Sequence, residues 1–213
     1  MLKLWLVPKS FPLKAVTNQE QNWSLDLSSF KRREYLHARG YIRYILGDLL
    51  NENPLDLKLN APPNKPPNLD FGVANYISIS HCVDYLFFGY SSSLFGLDIE
   101  RTDRNFLYKQ ISNRFYAKSE KKYLKKFENN QYRKETLKLW VAKEAAIKCN
   151  RGKLYKEMKN WECNFESKII FNKKLKTKLD LNIFEFKNWF LSIASKEAYK
   201  PSELTICFYE NSQ

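Results

Sequence analysis

Three short segments carry side chains that could do chemistry together. In Leu137-Lys138-Leu139-Trp140-Val141-Ala142-Lys143-Glu144-Ala145-Ala146-Ile147-Lys148, helical spacing of about 100° per residue puts Leu137, Trp140, Val141 and Ile147 on one arc. Glu144 falls in the middle of that arc, and Lys148 lies inside it one turn later. A carboxylate on an apolar face is costly unless it is paired or bound to a metal. Glu144 is therefore either half of an i,i+4 pair with Lys148 or a cation ligand. In Phe95-Gly96-Leu97-Asp98-Ile99-Glu100, strand alternation puts the apolar side chains on one face and Asp98 and Glu100 on the other. Neighbouring carboxylates repel unless they share a cation; solvated acids on a half-exposed strand are the other reading. Three acids from two elements suit Mg²⁺, which takes a few carboxylates with substrate phosphate and water. A third segment, Tyr76-Ile77-Ser78-Ile79-Ser80-His81, ends in a histidine. That residue is either structural or, when protonated, a phosphate donor through both ring nitrogens.

Several elements must position these groups. Residues 2–7 read as a strand. Tyr35, Leu36, Ile42, Ile45, Leu46 and Leu49 recur at helical spacing and predict a long amphipathic helix over Phe30–Leu50. The proline-rich Ala61–Asn68 must be a loop. Strand-like runs follow at Asn75–Ser80, Tyr85–Tyr90 and Leu94–Glu100. Residues 105–149 turn helical, most strongly over Lys118–Phe127 and Gln131–Cys149. The tail returns to strands near Trp161–Phe165, Lys168–Phe171, Trp189–Ala194 and Leu204–Tyr209. Helices and strands mixed in blocks make the class α+β or α/β, with a midpoint near Arg101–Asn105 and halves at 1–103 and 104–213.

The 213 residues suffice for a sizeable core, and 44% hydrophobic with 15% aromatic residues excludes a disordered chain. No apolar run approaches the ~18 residues of a membrane span, and the start lacks the features of a signal peptide. Cys82, Cys149, Cys163 and Cys207 are scattered, which argues against structural zinc and a disulfide framework and for the reducing cytoplasm. A net charge of +13, from 36 Lys+Arg against 23 Asp+Glu, implies an anionic partner or a lysine-rich composition with no partner behind it. Nucleic acid is the rival partner. It would require basic residues clustered with exposed aromatics, whereas here the lysines are spread and Phe87, Phe88, Phe95 and Trp140 sit in apolar positions.

Gly96-x-Asp98-Ile99-Glu100 followed by Trp140-x-x-Lys143-Glu144-Ala145-x-x-Lys148 resembles the two signature motifs of the 4'-phosphopantetheinyl transferase superfamily. Ser80-His81 is similar to that family's SH segment, and Lys65-Pro66 to its GKP, with Asn64 in place of glycine. Arg114-Phe115-Tyr116-Ala117-Lys118-Ser119-Glu120 is similar to its RFFxxxE. The resemblance spans roughly residues 30–155. Length and the SH segment resemble the longer, monomeric branch that includes the activator of surfactin synthetase, rather than the short trimeric synthases.

The resemblance implies a pseudo-twofold pair of similar α/β halves with the site in the cleft between them. It implies transfer of phosphopantetheine from coenzyme A to a serine of an acidic apo acyl or peptidyl carrier protein, with release of 3',5'-ADP. A carrier-binding member without catalysis is the alternative within the family. Asp98, Glu100 and Glu144 would hold Mg²⁺, Glu144 would take the serine proton, and Lys148 would steady the pyrophosphate. Lys143 would contact coenzyme A as well, and Arg39, Lys65, Ser80 and His81 would hold its adenosine 3'-phosphate and nucleotide. No nucleic acid or membrane partner is implied.

Overall fold

Two long helices enclose two sheets in the computed structural model, which describes residues 2–70, 72 and 75–209. Met1 and residues 210–213, the outer ends of the expected halves, lie outside the described residues. The first sheet has the order β11-β1-β5-β4, from β1 (Leu2–Pro8), β4 (Tyr76–His81), β5 (Tyr85–Ser91) and β11 (Ile206–Phe208). The second has the order β6-β10-β9-β8-β7, from β6 (Phe95–Arg101), β7 (Trp161–Asn164), β8 (Ile169–Asn172), β9 (Thr177–Phe186) and β10 (Trp189–Ser195). A small ribbon of β2 (Leu59–Asn60) and β3 (Asn68–Leu69) brackets the proline loop. The α+β class read from the sequence is the class found.

The packing follows the side-chain periodicities. Helix α2 (Ser29–Leu50) buries Ala38, Tyr41, Ile42, Ile45 and Leu46 against Trp5, Val7, Ile77 and Phe88 of the first sheet. The opposite face of that sheet, through Leu2, Leu4, Leu6 and Phe87, meets Phe95, Leu97, Ile99, Leu191 and Ile193 of the second. Consecutive Phe87 and Phe88 thus point into different cores, which is why β5 is apolar on both faces. Helix α5 (Asn129–Cys149) covers the far side of the second sheet with Ala142, Ala145, Ala146 and Ile147 against Trp161, Ile170, Leu179, Leu181 and Ala194. Small residues let it lie close.

The strand order does not follow the chain. β6 bonds antiparallel to β10, 94 residues later at the Asp98↔Ser192 pair. β11 returns to pair parallel with β1, Leu4↔Ile206. Between β6 and α5 lie two short helices, α3 (Tyr108–Phe115) and α4 (Lys118–Leu124), broken at Tyr116 and Ala117, so the basic stretch is two pieces. α6 (Leu154–Glu157) follows α5. Besides the β2–β3 ribbon and α6, α1 and β9 exceed the sequence reading. α1 (Asn18–Ser24) is opened by a capping box in which Thr17 and Glu20 bond reciprocally. In β9, Leu179, Leu181 and Ile183 alternate toward α5. No helix among the described residues is long and apolar enough to cross a membrane.

Candidate active site

β6 and α5 meet at Gly96. A Cβ built there would lie 2.0 Å from the Ala145 carbonyl oxygen and 2.2 Å from the Cys149 amide nitrogen. The glycine is therefore required for close approach of strand and helix, and it lies two residues from Asp98 on the same face. This approach brings Asp98, Glu100 and Glu144 together, with one oxygen from each within 4.8 Å of the others. We expect Gly96→Ala to push α5 outward and lower turnover by about 10²-fold, the scale of a 1 Å misplacement. Steady-state rates and a melt check this, because the variant should stay folded at assay temperature while its rate falls.

Asp98 is 2% exposed. Its Oδ1 accepts hydrogen bonds from Ser80 Oγ at 2.6 Å and Lys148 Nζ at 2.7 Å. Its Oδ2 is buried and has no partner. Glu100 pairs with Arg104, and Glu144 lies 3.8 Å from Lys148. Burial, then the charge of Asp98, pushes Glu100 up to about 7. The same two causes raise Glu144. Burial works against the charge on Lys148, but Asp98 and then Glu144 outweigh it, so its pKa rises. Three crowded acids served by Lys148 and, at the more open edge, Arg104, with an orphaned carboxylate oxygen among them, fit a hard divalent cation with oxygen ligands.

Beside this cluster, a cavity of about 630 Å³ opens between α2, the proline loop, β4 and the end of α5. Lys31, Arg39, Lys65, His81, Lys148 and Arg151 line it, against the acids Glu34 and Glu144. Arg39 is held by its Nε donating to the Ala61 carbonyl at 2.9 Å and by the Tyr35 ring 4.6 Å from its guanidinium. Lys65 follows Asn64, whose φ of 61° is in the left-handed region. A glycine or asparagine is suited there, which explains how Asn64 can replace glycine. His81 Nε2 faces Glu34 at 3.5 Å, and Glu34 also pairs with Lys9. Desolvation lowers the imidazole's pKa despite Glu34, with Lys9, Lys148 and Arg39 adding to the fall. Its side chain keeps 40% of its surface open, which tempers that shift.

Two of the expected coenzyme A contacts do not line this cavity. Lys143 does not reach the cavity. It is fully buried on the other side of α5, its Nζ 2.7 Å from Glu120 and 3.3 Å from the Phe115 and Met158 carbonyls. The Tyr116 ring lies 4.9 Å from it. Glu120 in turn accepts from the Ala117 and Cys163 amides. The glutamate that ends the Arg114–Glu120 motif and the lysine of the α5 motif are thus partners in an internal ion pair. Ser80, expected at the nucleotide, is the second. Strand alternation turns it away from His81 and toward Asp98 and Lys148, so its hydroxyl lies at the carboxylate cluster. Lys31, Glu34 and Arg151 are cavity residues that the sequence reading did not assign; only their nearness to Arg39 and Lys148 in the chain signalled them.

The sequence model of the 4'-phosphopantetheinyl transferase superfamily matches residues 94–204 of the chain. No curated protein matches it.

Proposed function

Because the chain belongs to the 4'-phosphopantetheinyl transferase superfamily, we propose that it transfers the phosphopantetheine arm of coenzyme A to a serine of an apo acyl or peptidyl carrier protein, as a Mg²⁺-dependent enzyme. The observation that carries this reading is the meeting of Asp98, Glu100 and Glu144 beside a cation-lined cavity. All of these residues come from one chain, which favours a monomer of the longer branch.

Asp98, Glu100 and Glu144 would hold the metal. When bound, Mg²⁺ supplies charge neutralisation at the coenzyme A pyrophosphate. Lys148, fixed by Asp98 and Ser80, adds a fixed positive charge at the same oxygens. Arg39, Lys65 and His81 would grip the nucleotide and its 3'-phosphate at the other end of the cavity. The serine oxygen forms a bond to the phosphorus that bears pantetheine, and the bond from that phosphorus to 3',5'-ADP breaks. Glu144 accepts the serine proton. Incubation with coenzyme A, Mg²⁺ and an apo carrier, with and without a chelator, tests the reading by a metal-dependent phosphopantetheine mass gain on the carrier. No gain on any fatty-acid, polyketide or peptide carrier would overturn it.

Carrier recognition can be tested separately. Arg114, Lys118, Lys122, Lys125 and Lys126 are exposed along α3, α4 and the turn after them. They form a basic surface suited to an acidic partner. Such steering is screened beyond a Debye length of ~8 Å, so the carrier KM should rise steeply from low to moderate salt and the coenzyme A KM less. Lys122→Glu with Lys125→Glu should raise the carrier KM several-fold and flatten its salt dependence. An unchanged carrier KM would remove this surface and leave the transfer reaction standing.

A further inference from the structure

Strand β10 presents Phe190, Ser192 and Ala194 to the α5 side, paired across the ladder with Glu100, Asp98 and Gly96. Leu191 and Ile193 point to the core between the sheets. Ser192 is the polar member of that row. It is fully buried, and its Oγ has no hydrogen-bond partner. Leaving a buried hydroxyl in that state is destabilising, whereas an alanine would pack there without the penalty. Directly across the ladder, Asp98 Oδ2 is also buried and also without a partner. Two orphaned polar atoms, one a donor and one an acceptor, therefore face the same layer from paired positions of neighbouring strands.

We propose that Ser192 is a positioning residue for Asp98. In the metal-loaded chain its hydroxyl donates to Oδ2, directly after rotation about χ1 or through one buried water, whereas in the metal-free fold it is unpaired. Cross-strand Cβ atoms at paired positions lie ~4.5–5.5 Å apart, which puts either link within reach. Ser80 and Lys148 hold Asp98 only through Oδ1, which leaves the carboxylate able to swing about that end. A bond from Ser192 fixes the other oxygen and so fixes the plane of the carboxylate. One lone pair of Oδ2 stays free for a cation shared with Glu100 and Glu144. Partners of this kind orient metal ligands, and their loss costs about 10–100-fold in metal affinity.

The proposal rests on the metal reading of the three acids, so the test carries a control for it. The full chain, free of coenzyme A, is titrated with Mn²⁺ as a spectroscopic stand-in for Mg²⁺, and metal-free melts are recorded in parallel. For Ser192→Ala the Mn²⁺ dissociation constant should rise about 10-fold, while the metal-free melting temperature stays level or rises because an unpaired hydroxyl has been removed. A merely structural serine would move the melt and not the affinity. Ser192→Ala binding Mn²⁺ within twofold of the unaltered chain, while Asp98→Asn loses it, would overturn the role of Ser192 and leave the metal site standing. Asp98→Asn binding as tightly as the unaltered chain would overturn both. A large fall in the melting temperature of Ser192→Ala would also overturn the proposal, by marking the hydroxyl as already paired in the fold.

Discussion

Glu144→Gln will lower phosphopantetheine transfer by about 10³-fold or more. On the proposed roles it removes a metal ligand and the proton acceptor together, and either loss alone is worth roughly 10²–10⁴-fold. The fold should not suffer. Burial and the charge of Asp98 already raise the pKa of Glu144, so its ionised form is disfavoured in the metal-free chain. A neutral isostere relieves that strain, and the metal-free melting temperature should hold or rise. The same physics fixes a pH trend. Glu100, pushed up to about 7, binds more protons folded than unfolded between its ordinary value of 4.5 and that point. Metal-free stability therefore falls as pH rises through this window, and Mg²⁺ should restore it. Mass-spectrometric progress curves and melts across pH check both statements. Turnover of Glu144→Gln within tenfold of the unaltered chain would remove Glu144 from both roles.

The second large effect is on stability. Lys143→Met leaves Glu120 buried with its charge unpaired, and breaking such a pair costs about 3–5 kcal/mol. For a chain of this size that is a fall of about 6–20 °C in melting temperature. Adding Glu120→Gln should regain part of the loss, since it removes the stranded charge while keeping an acceptor for the Ala117 or Cys163 amide. Below the melt, the coenzyme A KM of Lys143→Met should stay within about twofold, because the ammonium faces the interior of the α4–α5 contact. A tenfold rise in that KM with an unchanged melt would return Lys143 to the substrate.

The two signature segments were legible because local geometry governs them. Period-two alternation separates Asp98 and Glu100 from Phe95, Leu97 and Ile99, and the helical period places Glu144 with Lys148. Lys143 was not legible for the opposite reason. Its partner lies 23 residues earlier, and nothing in the spacing says that Glu120 and Lys143 face the same gap. The placement of Ser80 beside Asp98 and Lys148 was legible in principle, since adjacent strand residues such as Ser80 and His81 point to opposite faces. The capping box at Thr17 and Glu20 and the alternation at Leu179, Leu181 and Ile183 were likewise available signals for α1 and β9. The sheet order was not available. That β6 bonds to β10, and β11 to β1, depends on which apolar faces bury each other, a property of the whole chain.

The pairing of β11 with β1 has a practical consequence. β1 is apolar on both faces, and β11 occupies the hydrogen-bonding groups along its outer side, with the Tyr209 amide donating to the Leu6 carbonyl. Without residues 205–213 that row of donors and acceptors would lie open on a flat, greasy strand, a template for pairing with other molecules. A truncated chain should keep its carboxylate cluster, which lies on other strands, and lose solubility first. Light scattering would then report self-association before any assay reported inactivity, so affinity handles belong beyond residue 213 on a spacer rather than in place of this strand.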